Sequence, residues 1–132
     1  MTDRELMIKA ARARDMAYAP YSGFAVGAAL LASDGRVFTG CNIENAAYSA
    51  TNCAERTAFF KAVSEGVRDF EAIAVIGGPA GEAGGFCAPC GVCRQVMAEF
   101  CNGDFRILLG TPDNVQPHTL QDLLPYSFSL DT

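Results

Sequence analysis

No run of basic residues interrupts this sequence, and its formal net charge is −5. A protein that follows a nucleic acid backbone offers a basic groove to replace the counterions. Scattered Lys and Arg residues make no such groove, so no nucleic acid partner is expected. Nor does any apolar run approach the roughly 18–20 residues that span a bilayer. The opening MTDRELMIKA is charged and polar, without the apolar segment or cleavage site of a secretory signal. The chain is therefore expected in the cytoplasm, with no membrane partner. Internal repeats and low-complexity linkers are also missing. The 132 residues, half of them apolar, fit one domain spanning 1–132 with its own core. Histidine occurs once, at His118, far in sequence from every reactive cluster. It is expected to be a surface or capping residue.

Cysteine is present in quantity: Cys41, Cys53, Cys87, Cys90, Cys93 and Cys101. In a reducing compartment, clustered cysteines are more often metal ligands or catalytic groups than disulfides. Isolated ones, such as Cys41 and Cys101, are expected to be small buried hydrophobes.

The segment TDRELMIKAARARDMAYAP predicts a helix, opened by a Thr2–Glu5 capping box and ended by Pro20. Leu6, Ala10, Ala13 and Ala17 fall on one face. FAVGAALLASDGRVFTGCNI predicts a hairpin turned at Asp34-Gly35. NAAYSATN reads as loop, and CAERTAFFKAVSEG as a helix burying Ala54, Ala58, Phe59 and Ala62 and stopping at Gly66. EAIAVIGG and FRILLG read as buried strands, PAGEAGG as loop, CGVCRQVMAEF as a third helix, and LQDLLP as a short helix capped by Thr119. The order α-β-β-α-β-α-β-α implies a sheet covered by helices.

Cys53 and the cluster Cys87, Cys90, Cys93 both fall at predicted helix starts. The free N–H groups there stabilise thiolate, the form that binds zinc. Cys90 and Cys93 lie one turn apart on one side of their helix. Pro89 separates Cys87 from them: it biases its neighbour toward extended backbone and can itself begin the helix. Cys90 and Cys93 are thus the ligand pair, Cys53 the third ligand, and Cys87 a spare thiol. Three protein ligands leave a fourth position for water, the catalytic arrangement, and zinc brings that water's pKa to about 7. Glu55, two residues after Cys53, is placed to shuttle protons without ligating. Three thiolates on one Zn2+ leave a net charge near −1, which Arg56 could offset by donating to sulfur.

C-A-E followed by P-C-x-x-C resembles the zinc deaminase signature. PYSGFAVGAAL (20–30), GCNIENAAYSATNCAERTAFFKAVSEG (40–66), PCGVCRQ (89–95) and LLPYSF (123–128) together resemble the small homotetrameric cytidine deaminases. The resemblance implies an α/β fold, a three-layer α/β/α arrangement with a five-stranded mixed sheet. The fifth strand would lie in NVQPHTL, at an edge because of Pro117. It implies hydrolysis of cytidine and 2′-deoxycytidine, with one zinc per chain on Cys53, Cys90 and Cys93 and Glu55 as the proton shuttle. Phe24 would pack against the pyrimidine, Asn42 and Glu44 would bind the ribose 3′-hydroxyl, and the Ala54 N–H would bind the base carbonyl. Tyr48 and Phe128 would line sites in neighbouring subunits of a homotetramer. Two rival readings share parts of the pattern: a blasticidin-S-type deaminase, and a non-catalytic zinc module with Cys41 as a fourth ligand.

Overall fold

The computed structural model describes residues 1–130. Five strands form one mixed sheet: β1 (Phe24–Ala32), β2 (Val37–Cys41), β3 (Phe70–Pro79), β4 (Arg106–Thr111) and β5 (Asn114–Thr119). Their spatial order is β2-β1-β3-β4-β5. Only β3 and β4 pair in parallel; the other neighbours are antiparallel. β5 is the expected edge strand, where Pro117 costs no interior ladder bond.

Alternation along the strands divides the core into two layers. Ala28, Leu30, Ile73, Val75, Ile107 and Leu109 point into one cluster, and Ala29, Ala72, Ala74, Ile76 and Leu108 into the other. Burial on both faces explains why these strands read as continuous apolar runs. Helices α2 (Ala54–Ser64) and α3 (Gly91–Phe100) cover the first face, and α1 (Asp3–Arg14) the second. The short α4 (Leu120–Leu123) follows β5, its Thr119 cap accepting from the Asp122 N–H. Phe59 of α2 is fully buried against the rings of Phe70, Phe100 and Phe105. Truncating such an anchor typically costs about 3–5 kcal/mol.

Two glycines let helices approach the sheet closely. A Cβ on Gly27 would stand 2.0 Å from the Ala10 carbonyl oxygen in α1, and one on Gly40 would stand 2.5 Å from that of Ala54 in α2. At the hairpin, only Gly35 takes a positive φ, of 94°. Asp34 instead accepts from the Arg36 N–H and guanidinium.

The Thr2–Glu5 capping box forms as expected, but α1 ends at Arg14, well before Pro20. Arg14 donates to the carbonyls of Ala25, Gly78, Pro79 and Glu82. The chain then turns to run extended, with Tyr18 bridging Ile43, and Ala17 lies outside the helix. Pro89 does not begin α3 either; it lies two residues before Gly91, and Cys90 holds the capping position in an extended conformation. The loop at 45–52 contains a short 3-10 turn, Tyr48–Ala50. His118 is not a surface or capping residue. It lies half-buried in β5, edge-on to Phe86, with Nε2 buried and unpartnered. Cys41 and Cys101 are half-buried rather than fully so. Among the described residues, no helix is long and apolar enough to cross a membrane.

Candidate metal and catalytic site

Cys53 and Cys90 occupy equivalent positions, each immediately before a helix and each extended (ψ 157° and 168°). Neither side chain caps its own helix, so both sulfurs stay available at positive helix ends. Cys93, one turn into α3, is buried. The three sulfurs lie within 4.8 Å of one another, with Cys53 Sγ and Cys90 Sγ 3.8 Å apart. Four sulfurs arranged tetrahedrally at about 2.3 Å from zinc would be separated by about 3.8 Å. The donor set therefore fits zinc in both chemistry and spacing. Cys41 and Cys87 are outside this group, which removes the four-cysteine alternative.

Cys53 and Cys93 perturb each other in opposite directions. Hydrogen bonding from Cys93 and, less strongly, from Arg56 and Cys90 lowers Cys53 to about 5. Cys93 is pushed above the ordinary thiol range, because it donates to Cys53 and is buried. A bound dication would favour the thiolate form of the ligating sulfurs. Arg56 Nη2 lies 3.2 Å from Cys53 Sγ.

Glu55 stands in the first turn of α2 and is only 4% exposed, the one buried acidic residue among those described. Loss of hydration raises its carboxyl to about 7, where it can both accept and return a proton near neutral pH. It faces a cavity of about 290 Å³ lined also by Phe24, Val26, Asn42, Glu44, Cys53, Ala54, Cys87 and Cys90. Phe24 is 40% exposed there and so is not a core residue. The Ala54 N–H is the first of its helix and has no intrahelical acceptor. Cys87 lines the same cavity, where burial pushes its thiol up to about 11.

The polar residues also brace the cavity's own walls. Asn42 Oδ1 accepts from the Val26 N–H at 2.9 Å, and its Nδ2 donates to the Phe24 carbonyl at 2.8 Å. Glu44 accepts from the N–H groups of Tyr21 and Ser22 and from the Ser22 hydroxyl, which holds its carboxyl below the usual range. An adjoining hollow of about 310 Å³ shares Ser22, Glu44 and Thr51 and is lined by Tyr48. Tyr48 and Phe128 do not line the cysteine cavity of their own chain; they are 84% and 67% exposed. The bracing roles of Asn42 and Glu44 went unread in the sequence. Their partners are backbone groups distant along the chain, which no local spacing displays.

Three thiols beside a cavity on an α/β scaffold define the class of a zinc site with a buried carboxyl next to it. Comparison with known proteins narrows it. Residues 1–109 match the family described as the cytidine and deoxycytidylate deaminase zinc-binding region. A cytidine deaminase from Sporosarcina psychrophila is 54% identical over 130 residues, covering 98% of this chain and 93% of the relative. One from Halalkalibacterium halodurans is 53% identical, covering 98% and 96%. The crystal structure of cytidine deaminase from Burkholderia pseudomallei superposes with a TM-score of 0.88 at 50% identity, covering 97% of this chain and all of that one. The chain belongs to the cytidine and deoxycytidylate deaminase family, with zinc as its cofactor and Cys53, Cys90 and Cys93 as the metal site.

Proposed function

We propose that this protein hydrolyses cytidine and 2′-deoxycytidine to uridine and 2′-deoxyuridine with release of ammonia, serving pyrimidine salvage. The observation that carries this reading is Glu55, a buried carboxyl facing the same cavity as the three-thiol group. When bound, zinc supplies a Lewis acid that makes water nucleophilic near neutral pH. Glu55 takes a proton from the attacking water and delivers it to N3 as oxygen adds to C4. It then carries the second proton to the exocyclic amine, which leaves as ammonia. Arg56 offsets the surplus negative charge of the thiolates. Phe24 packs against the pyrimidine, and the Ala54 N–H holds the base carbonyl. Asn42 and Glu44 receive the ribose 3′-hydroxyl; an amide and a carboxylate each have bonding capacity beyond the internal bonds described above.

The exposed Tyr48 and Phe128 support a homotetramer in which each completes a neighbour's site. The cytoplasm suits an enzyme with free cysteines at its centre. The direct test is the ultraviolet absorbance of cytidine mixed with zinc-loaded protein, with deoxycytidine and blasticidin S run in parallel. A decline for the two nucleosides is expected. No change with either would refute the reading, and a decline with blasticidin S alone would establish the antibiotic deaminase instead.

A further inference from the structure

The three thiols are held in different ways. Cys93 is packed in the core, and Cys53 has the Arg56 guanidinium at its sulfur. Cys90 is exposed, and its sulfur is hydrogen-bonded to that of Cys53, with no guanidinium or core packing of its own described. Its placement therefore depends on its backbone. The preceding residue, Pro89, is fully buried, and its carbonyl shares a peptide plane with the Cys90 nitrogen. Among the described residues no backbone N–H reaches that carbonyl. Arg94 does: Nε donates to Pro89 O at 2.8 Å, while Nη1 of the same guanidinium donates to Leu123 O at 2.6 Å. Arg94 takes part in none of the ion pairs among the described residues. Its planar fork is spent on two backbone oxygens, one next to a thiol of the metal site and one at the end of α4. Its neighbour Gln95 adds a second tie to the same C-terminal stretch, donating from Nε2 to Phe128 O at 2.9 Å.

We propose that Arg94 is a positioning residue for Cys90, clamping the peptide before it to the C-terminal segment and so setting how firmly the site retains zinc. This rests on the reading that Cys53, Cys90 and Cys93 hold the metal. A group that orients a ligand from behind typically contributes 10–100-fold to metal affinity. A Lys at 94 supplies a charge on a flexible stem and cannot span both carbonyls as a fixed fork.

The test is the rate at which zinc-loaded protein releases metal to excess chromophoric chelator, with thermal melts of the zinc-loaded and zinc-free forms. Arg94→Ala should release zinc at least about tenfold faster than wild type, and Arg94→Lys should fall between. The stabilisation conferred by zinc should shrink in the same order. A merely structural staple would lower both melts equally and leave the release rate alone. That pattern, or release within twofold of wild type, overturns the proposal. If Arg94→Ala does not fold, Arg94→Lys decides on the same criterion. Should wild type hold no zinc, or Cys90→Ser retain it unchanged, the metal-site reading itself fails and the proposal with it.

Discussion

Gly40→Ala probes how the sheet positions the proposed catalytic residue. Helix α2 lies so close to β2 that an added Cβ would stand 2.5 Å from Ala54 O and 2.6 Å from Ala58 N. Both are backbone atoms of the helix, so no side chain can swing aside. Ordinary contact begins near 3.4 Å, and the difference requires α2 to lift by about 0.9 Å. Overpacking of this kind costs about 1–3 kcal/mol. The lost flexibility of the unfolded chain returns about 0.4–1 kcal/mol. The net, from about zero to about 2.6 kcal/mol, corresponds for a chain of this length to a fall in Tm of up to roughly 10 °C. The functional loss should be larger. Ala54 is the first residue of α2, so the lift shifts Cys53 and Glu55 relative to Cys90 and Cys93 at the start of α3. A misplacement near 1 Å can cost about 100-fold in rate. Thermal melts, zinc content and kcat/KM measured on the folded variant test this. An unchanged Tm together with activity within threefold of wild type would refute the close-packing argument.

Other substitutions isolate single groups. Burial holds Glu55 protonated up to about 7, against an ordinary 4.5, so the native state binds more protons than the unfolded chain across that window. Its contribution to stability is therefore full below pH 4.5 and is lost as pH rises to 7 and beyond. At 1.36 kcal/mol per pH unit the loss is at most about 3 kcal/mol. In chelator-treated protein, Glu55→Gln should gain on wild type by up to that amount between pH 4.5 and 8 in denaturant titrations; a constant difference would contradict the burial argument. Cys87→Ser should keep both zinc and activity, since Cys87 lies outside the thiol group; loss of zinc on metal analysis would mean that the ligand pair is wrongly chosen. Arg56→Ala, which removes the donor 3.2 Å from Cys53 Sγ, should lower the deamination rate and move its pH profile to higher pH; an unchanged profile would end the charge-offset idea.

Much of the fold could be read locally, because β1, β3 and β4 carry their own apolar runs and α1, α2 and α4 their own cap or stop. The fifth strand could not. NVQPHT pairs along one side only, and its half-buried residues show no clean alternation. It entered through resemblance. The end of α1 is not legible for a related reason: it falls where the Arg14 side chain meets carbonyls of β1 and β3, distant in sequence, while Pro20 merely follows. At the site, the legible residues were those whose chemistry depends on local position, namely the thiols at two helix starts and Glu55 beside one of them. Arg94 was hidden, because its partners are backbone oxygens at positions 89 and 123, which carry no side-chain signature.

The central claim is that Glu55 moves protons while three thiols hold the metal. The most direct measurement is the cytidine deamination rate of zinc-loaded Glu55→Gln, with metal content determined on the same sample. The account predicts zinc near one per chain and a rate reduced at least about 100-fold. A rate close to wild type, or loss of the zinc, would contradict it.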